Sequence, residues 1–420
     1  MTEVSELFSR KVSRQVEEAL EDTRVVVING ARQTGKSTLA QSFAAQHSNS
    51  SASYLDSSAV RASATSDPMG FVRRDGLTII DEVQRVPDLI LAIKHCVDMN
   101  QRPGQFLLTA SARLWELPDL PDSLIGRSET IELFPLAQGE IDGAPEGFVS
   151  AAIRDGVGIS VEESTDTKRN YIERALRGGF PEAVRRERPQ RRTRFFESYV
   201  ADLIKRDVSQ LSDIERPADL RRLIEALAAM MSGQLVPGRL ANDLGLPATT
   251  VKRYIDLLEL LYVVKRVPAW SSNLTTRAVS TPKLLFTDSG LAGSLAGWTL
   301  GSASNVVAPV GPLIENFVLG EIARQLPLLE HHVEMYHFRD RDGVEVDALL
   351  EGPWGTIVGI EVKAAETVRA EDFRGLRHIA DRLGDRFLAG FVMYTGQQKL
   401  PFGEKLAAVP ISAIWRTAAD

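Results

Sequence analysis

The fold is decided by the stretch Gly30-Ala31-Arg32-Gln33-Thr34-Gly35-Lys36-Ser37, which is followed by Thr38. It matches the pattern G-x-x-x-x-G-K-[ST], in which glycines let the backbone curl so that its N–H groups converge. Residues 24–29, directly before it, read Arg-Val-Val-Val-Ile-Asn, a β-branched run typical of a buried strand. Residues 37–46, directly after it, are predicted to form a helix. This order of strand, loop and helix predicts an anion-binding loop at a helix N-terminus.

Such a loop predicts a site for ATP and Mg²⁺. We expect residues 30–38 to surround the phosphates, with the Lys36 ammonium neutralising their charge and the Ser37 hydroxyl binding Mg²⁺. The pattern also occurs by chance, but here the strand and the helix flank it as the mechanism requires.

A second part of the nucleotide site is predicted where later apolar strands end. Residues 77–80 lead directly into Asp81 and Glu82, so the strand would deliver Asp81 to the metal and place Glu82 to polarise the attacking water. The alternative is a strand that happens to end in acidic residues. The following strand ends in Thr109 and Ser111, whose hydroxyls would hold that water in line.

Arg127 is a candidate for a different role, because it lies between a predicted helix and the next predicted strand, at the rim of the domain. An arginine there can reach the γ-phosphate of a neighbouring subunit, which would make oligomerisation a condition for hydrolysis. The alternative is an ordinary surface arginine.

Composition predicts a cytosolic protein of several domains. The 420 residues are 44% hydrophobic and 25% charged, no apolar run is long enough to cross a membrane, and the N-terminus has no apolar signal segment. The single cysteine, Cys96, excludes an internal disulfide and a Cys-rich zinc site. The net charge of −7 still leaves room for local basic surfaces.

The predicted organisation begins with an α/β P-loop domain at residues 1–140, in which alternating strands and helices imply a parallel sheet. A helical lid and connector at 141–231 follows, and its first part, 140–168, is predicted to be a surface connection. Residues 232–300 are predicted to be a winged-helix-like domain, with a looser stretch from 271. Residues 301–420 form the predicted C-terminal α/β domain.

Two features point to nucleic acid. The helix predicted at 248–260 is the second helix of a winged-helix outline at residues 235–267, and its start carries polar residues where base or phosphate contacts occur, namely Thr249, Thr250, Lys252 and Arg253. Residues 185–194 contain six arginines that would track a phosphate backbone. The alternatives are a winged helix that contacts only protein and a solvated helix face.

Acidic residues in the C-terminal domain follow an informative order. Asp347 lies on one predicted strand, and the next strand carries Glu361 and Lys363 on one face, because side chains alternate. With Glu315 on the preceding predicted helix, the set resembles the PD-(D/E)xK nuclease-like core. That resemblance implies Mg²⁺ held by Asp347 and Glu361, with Lys363 acting on the attacking water of a phosphodiester. Alternating charges on a half-exposed strand are the alternative, and a retained fold can lose catalysis.

Several motifs together resemble the prokaryotic AAA+ ATPases whose C-terminal half is a domain of unknown function. In the first third of the chain they are Gly30–Ser37, Asp81-Glu82-Val83-Gln84, Leu108-Thr109-Ala110-Ser111-Ala112 and Ile125-Gly126-Arg127. Later they are Gly178-Gly179-Phe180-Pro181, Lys205-Arg206-Asp207-Val208, Phe286-Thr287-Asp288-Ser289-Gly290, Ile314-Glu315-Asn316-Phe317 and Glu345-Val346-Asp347. The resemblance runs from about residue 5 to about residue 400 and implies an AAA+ fold, a ring, most often a hexamer, and Arg127 as an arginine finger. Ala110 stands where a glycine is more usual.

These features predict an ATP-driven machine that remodels or translocates duplex or branched DNA, such as a four-way junction, with a Mg²⁺-dependent endonuclease-like C-terminal domain. Two alternatives stay open. One is a nucleotide-dependent regulator or antitoxin-like switch whose winged helix docks a protein, and the other is a protein-remodelling ATPase. In both, the nuclease-like domain would be inactive.

Overall fold

The computed structural model describes residues 7–116, 124–208, 216–300 and 310–419. Residues 1–6 of the N-terminal segment and the side chains of residues 206–208, from one of the motifs above, lie outside the description. The chain divides into two compact units. Unit 1 comprises Met1–Pro135 with Leu260–Tyr262, and unit 2 comprises Leu136–Glu259 with Val263–Asp420. The finer division into four domains stays a prediction.

Strands and helices alternate along unit 1. Its helices are α1 (Ser13–Asp22), α2 (Lys36–Gln46), α3 (Ser58–Ser66), α4 (Pro68–Val72) and α5 (Asp88–Met99). Its strands are β1 (Val25–Asn29), β2 (Ser50–Tyr54), β3 (Leu77–Asp81), β4 (Phe106–Ala110) and β5 (Ser128–Glu132).

The strands of unit 1 form one parallel sheet in the order β2-β3-β4-β1-β5. All residues of β1, β3 and β4 are buried, and α2 packs on β2, β3 and β4. The predicted α/β class with a parallel sheet is therefore confirmed for this unit. Because the strands are parallel, β1, β3 and β4 deliver Gly30, Asp81 and Thr109 to the same edge of the sheet, the edge where ligands bind in such folds.

Unit 2 is larger and has more helices. Its helices are α6 (Gln138–Asp142), α7 (Phe148–Asp155), α8 (Lys168–Arg177), α9 (Pro181–Val184), α10 (Pro189–Asp202, continued by a π-helical turn at Leu203–Val208), α11 (Pro217–Ala229), α12 (Pro237–Leu244), α13 (Ala248–Leu260), α14 (Leu274–Val279), α15 (Ser289–Leu295), α16 (Gly311–Gln325), α17 (Arg374–Leu383) and α18 (Ala413–Arg416). Its strands are β6 (Val264–Val267), β7 (Lys283–Phe286), β8 (Glu334–Arg339), β9 (Glu345–Glu351), β10 (Ile357–Lys363), β11 (Phe387–Tyr394), β12 (Leu400–Gly403) and β13 (Leu406–Pro410). None of the helices in the described ranges is long and apolar enough to cross a bilayer.

The last third of unit 2 is built on a mixed sheet in the order β12-β13-β11-β10-β9-β8. The pairs β8/β9, β9/β10 and β12/β13 are antiparallel, whereas β10/β11 and β11/β13 are parallel. α17 packs on β9, β10 and β11, and its Leu376 and Ile379 join the buried cluster of Leu349, Phe373 and Phe387. This sheet is the setting of Asp347, Glu361 and Lys363, and its assignment to the nuclease-like class stays a prediction.

Residues 140–168 were expected to be a surface connection, and that expectation is wrong for their middle part. The helix α7 lies there and buries Phe148, Val149, Ala151 and Ala152. Phe148 packs edge-on against Phe391 of β11, with ring centroids 5.3 Å apart. The apolar residues of α7 recur at helical spacing over a short length, and the sheet covers them. The surrounding polar residues made this stripe hard to recognise in the sequence.

The segment expected to form a winged helix contains two helices and a strand pair. α12 ends at Gly245, whose φ is +66°, and α13 follows after a short turn. β6 and β7 then pair antiparallel, and β7 falls in the stretch after residue 271 that was expected to be loose. The winged-helix interpretation stays a prediction.

Two of the later motifs meet in the interior of unit 2. The Asp288 carboxylate accepts the N–H groups of Gly179, at 2.6 Å, and Leu291, at 2.8 Å, and so caps α15. Gly178 has φ +68°, and a Cβ there would lie 2.4 Å from Asp288 Oδ1. Burial raises the pKa of Asp288, and these backbone N–H groups oppose the rise. The Gly178-Gly179 and Asp288 motifs are therefore two halves of one packing contact.

Candidate functional site

The loop at Gly30–Ser37 has the conformation that its glycines allow. Gly35 has φ +97° at the start of α2, and a Cβ on Gly30 would lie only 2.2 Å from the Leu133 carbonyl oxygen. Lys36 Nζ donates to the Ala31 carbonyl oxygen at 2.8 Å. An anion at the N-terminus of α2 would meet the backbone N–H groups of the helix start and the positive end of its dipole. Of the remaining loop residues, Thr34 is buried, Arg32 and Ser37 are half-buried, and Gln33 and Thr38 are exposed.

Arg10 also fastens this loop, and sequence analysis missed it. Its guanidinium donates to the carbonyl oxygens of Thr34 and Phe134, both at 2.7 Å. A lone arginine so far from the motif gives no local signal of this role.

Asp81 lies beside the loop, as the sequence predicts. The Ser37 hydroxyl lies 2.9 Å from both carboxylate oxygens of Asp81, and the Thr109 hydroxyl donates to Asp81 Oδ1 at 2.6 Å. Burial raises the pKa of Asp81, whereas the hydrogen bonds from Thr109 and Ser37 lower it. A hydroxyl and a carboxylate so close together fit Mg²⁺, which prefers oxygen ligands.

Glu82 is fixed by the neighbouring strand. Its N–H donates to Thr109 Oγ1 at 3.0 Å, and its Oε2 accepts from Ser111 at 2.7 Å and from Gln84 at 2.5 Å. Its backbone has φ +58°, which turns the chain sharply away from β3. Burial acts to raise the pKa of Glu82, but Lys36 and the hydrogen bonds from Ser111 and Gln84 hold it below its ordinary value. The carboxylate is therefore charged and oriented near neutral pH.

Arg127 does not join this group. Ser128, which follows it, pairs with Val25 at the start of β1, whereas the phosphate-binding loop begins after the end of β1. The length of the strand, roughly 15 Å, therefore separates Arg127 from the loop of its own chain. The Arg127 guanidinium binds Asp98 instead, at 2.5 Å from Nε to Oδ1 and 3.1 Å from Nη2 to Oδ2.

A second polar group lies in unit 2, where the structure brings together all four residues predicted for the nuclease-like site. Lys363 Nζ lies 2.9 Å from Glu361 Oε1, and Asp347 Oδ2 accepts the Val362 N–H at 2.9 Å. Lys283 was not predicted, yet its Nζ lies 2.6 Å from Glu315 Oε1 and 3.1 Å from Asp347 Oδ1. We call these five residues, Lys283, Glu315, Asp347, Glu361 and Lys363, the ion cluster.

Burial dominates the electrostatics of the ion cluster. It raises the pKa of Glu315 to about 8 and that of Glu361 to about 7, with repulsion from Asp347 as the next cause for each. The carboxylates oppose the effect of burial on Lys283, and the net result is a raised pKa for that ammonium. Lys283 is therefore charged at neutral pH, where it is the counter-ion of Asp347 and a hydrogen-bond donor to Glu315.

The ion cluster does not fit the divalent cation that the nuclease-like resemblance implies, because an ammonium already bridges Glu315 and Asp347. Within the described ranges, no group of three or more His, Cys, Asp or Glu residues is arranged to hold a metal ion. Sequence analysis missed Lys283 because the residues after 271 were expected to be loose. The one available signal was a lysine opening the apolar run Leu284-Leu285-Phe286.

The basic residues noted in the sequence divide into two kinds. Arg186 and Arg192 support the local fold, because Arg186 pairs with Glu182 at 2.8 Å and Arg192 donates to the Arg186 carbonyl oxygen at 2.6 Å. The exposed ones in that run are Arg185, Arg188, Arg191 and Arg194. On α13, Thr249, Lys252 and Arg253 are exposed and Thr250 is half-buried, whereas Val251 and Ile255 on the other face are buried.

Comparison with known protein families assigns unit 1. Residues 22–142 match the family described as AAA domain, whereas residues 168–301 and 310–414 match two families described as domains of unknown function (DUF8612 and DUF4143). Together with the parallel sheet and its glycine loop, this match makes unit 1 an AAA-type ATPase domain, as the sequence predicts. Such a domain binds nucleotide.

Similar proteins cover nearly the whole chain. Uncharacterized protein Rv2008c of Mycobacterium tuberculosis and Uncharacterized protein Mb2031c of Mycobacterium bovis are each 29% identical over 415 residues, which is 97% of this chain and 85% of each relative. Among solved structures, the Walker-type ATPase PABY2304 of Pyrococcus abyssi is 15% identical, covers 70% of this chain and 97% of its own, and has a TM-score of 0.41. The RuvB Holliday junction branch migration motor of Thermotoga maritima is 20% identical, with coverages of 61% and 89% and a TM-score of 0.29.

Thr109 offers a test of the nucleotide site, because its hydroxyl donates to Asp81 and accepts from the Glu82 N–H. Thr109→Val removes that hydroxyl at nearly constant volume and leaves the Glu82 N–H without its acceptor. We expect the transition state for hydrolysis to lose about 1–3 kcal/mol of stabilisation, which corresponds to a roughly 5- to 150-fold lower kcat, with ATP affinity nearly unchanged.

Thr109→Ser is the matched control, since it keeps the hydroxyl, and we expect it to hydrolyse ATP close to the wild-type rate. Steady-state phosphate release and equilibrium ATP binding measure the two quantities. A Thr109→Val chain as fast as wild type would contradict this role of Thr109.

Proposed function

We propose that the chain is an ATP-hydrolysing machine that assembles through its AAA-type domain into a ring and remodels or translocates DNA. The observation that carries the hydrolysis step is the position of Glu82. Its carboxylate is held by Ser111 and Gln84, is kept charged beside Lys36, and follows directly the aspartate that contacts Ser37.

The catalytic roles follow from these contacts. Lys36 and the N-terminus of α2 would hold the phosphates, and Ser37 and Asp81 would hold Mg²⁺, which when bound neutralises phosphate charge. Glu82 would accept a hydrogen bond from the attacking water and orient it toward the γ-phosphate. Thr109 fixes the ends of β3 and β4, so that Asp81 and Glu82 keep their positions together.

Ring assembly is supported by the position of Arg127. It lies at the edge of the sheet opposite the loop of its own chain, so it cannot stabilise charge on that chain's γ-phosphate. Its side chain is only 29% exposed, and the ion pair with Asp98 orients it before a second copy is present. A second copy that presents its loop to this edge would receive the arginine, and each ATP site would then be completed between subunits.

A complementation experiment tests this arrangement. Lys36→Ala removes the phosphate contact and Arg127→Ala removes the arginine, so we expect each chain alone to lose most ATP hydrolysis. Mixing the two should restore activity, because an Arg127→Ala loop can meet the intact Arg127 of a Lys36→Ala chain. Phosphate release measured across mixing ratios should peak at a ratio between the two pure samples. A rate that is only the weighted mean of the two chains would contradict a shared site.

DNA is proposed as the partner on which ATP hydrolysis acts, because α13 has an exposed polar face. Lys252 and Arg253 project from the helix face opposite its buried residues, at the helix that enters the major groove in winged-helix proteins. Arg188, Arg191 and Arg194 on unit 2 add exposed positive charge, which supports contact with a phosphate backbone.

The DNA proposal predicts ATP hydrolysis that DNA stimulates and that depends on α13. Lys252→Glu combined with Arg253→Glu should weaken duplex and four-way-junction binding by about tenfold or more, because phosphate contacts become repulsive. Basal hydrolysis without DNA should stay at the wild-type rate. Gel shifts and phosphate release measure both.

A matched control makes the same charge change at the start of α8, with Lys168→Glu and Arg169→Glu. Acidic residues suit a helix N-terminus, so this chain should fold and bind DNA like wild type. Equal DNA binding by both double variants would contradict the role of α13. Absence of DNA binding in the wild-type chain would instead favour the regulator in which this region docks a protein.

A further inference from the structure

The ion cluster contains its own cation, and the backbone around Lys283 fixes where that cation lies. On one side β7 pairs with β6, Lys283 opposite Val267. On the other side Leu284 exchanges hydrogen bonds with residues 232 and 233, both at 2.9 Å. The Lys283 side chain is 9% exposed. A strand held on both sides therefore delivers the ammonium into the interior.

The helix α16 fixes the opposing carboxylate. Asn316 accepts the Phe286 N–H at 2.8 Å and donates to the Phe286 carbonyl oxygen at 3.1 Å, which joins α16 to β7. Glu315 precedes Asn316 and meets Lys283 at 2.6 Å. The Ile314-Glu315-Asn316-Phe317 motif thus serves the contact between β7 and α16.

Three of the carboxylate oxygens that a metal would use are already engaged, whereas Glu361 Oε2 is buried without a hydrogen-bond partner in the described part of the chain. Asp347 Oδ1 accepts from Lys283 and Oδ2 accepts from the Val362 N–H, while Glu361 Oε1 accepts from Lys363. With all five groups ionised, three carboxylates and two ammonium groups leave a formal charge of one negative unit, and the raised pKa values of Glu315 and Glu361 make the charge less negative at neutral pH. A divalent cation would therefore make the buried cluster positive. It would also lie against the Lys283 ammonium, which shares its ligands.

We propose that Lys283 takes the place of a divalent metal in the ion cluster, so that this region keeps the carboxylates together without a metal and does not cut phosphodiesters by metal chemistry. The proposal does not depend on DNA as the partner or on ATP hydrolysis. It assigns the nuclease-like core a binding or assembly role.

Counting bound Mn²⁺ tests the proposal directly. Lys283→Met removes the ammonium at similar volume and leaves the carboxylates without their counter-ion. In equilibrium dialysis of the nucleotide-free full chain, we expect Lys283→Met to bind about one Mn²⁺ more per chain than wild type. Adding Asp347→Asn to that variant should abolish the extra ion.

Lys363→Met is the matched control, because it removes the other ammonium, which contacts Glu361, and leaves Lys283 in place. We expect it to bind no more Mn²⁺ than wild type. A folded Lys283→Met chain, judged by circular dichroism and unchanged ATP hydrolysis, that gains no Mn²⁺ would overturn the claim that the ammonium excludes the metal.

A second comparison decides the matter even where Lys283→Met does not fold. Asp347→Asn in the otherwise wild-type chain should leave the Mn²⁺ count unchanged, because Asp347 binds an ammonium there. A lower count in Asp347→Asn would show a metal at the wild-type cluster and would overturn the proposal.

Discussion

A carboxylate buried in a protein must be given hydrogen-bond donors or a cation, and both units are organised around that constraint. In unit 1 the hydroxyls of Ser37 and Thr109 meet Asp81, and Ser111 meets Glu82. In unit 2 backbone N–H groups meet Asp288, and Lys283 meets Glu315. Each donor comes from a neighbouring strand or helix, so the fold and the polar sites are determined together.

Local patterns were sufficient to predict much of this fold. The parallel arrangement of unit 1 follows from its alternating strands and helices, and the phosphate loop follows from glycines at fixed spacing. In unit 2, the sequence predicts helices at 248–260 and 311–325 and strands at 334–339 and 387–394, and these are the observed bounds of α13, α16, β8 and β11. In α13 the apolar residues recur at helical spacing, and in β11 they form one continuous run, so the local sequence is enough to bound these elements.

The parts that sequence analysis missed depend on partners far along the chain. Lys283 meets an aspartate 64 residues away, and Arg10 meets the Phe134 carbonyl oxygen 124 residues away. α7 is buried because β10, β11 and α18 pack against it, with Phe148 against Phe391 of β11. The metal role of Asp347 and Glu361 is predicted from acidic residues in a familiar order, and that order contains no information about a lysine from another strand. Such contacts follow from packing, which a single sequence does not display.

We propose Glu82 as the residue that turns nucleotide binding into hydrolysis. The most direct measurement is phosphate release from ATP by the full chain and by Glu82→Gln, with ATP binding measured on the same samples. The amide keeps the shape of the side chain but accepts the water proton poorly. Glu82→Gln should therefore bind ATP like wild type and hydrolyse it at least about a hundredfold more slowly. Equal hydrolysis by the two chains, or none by either, would contradict the account.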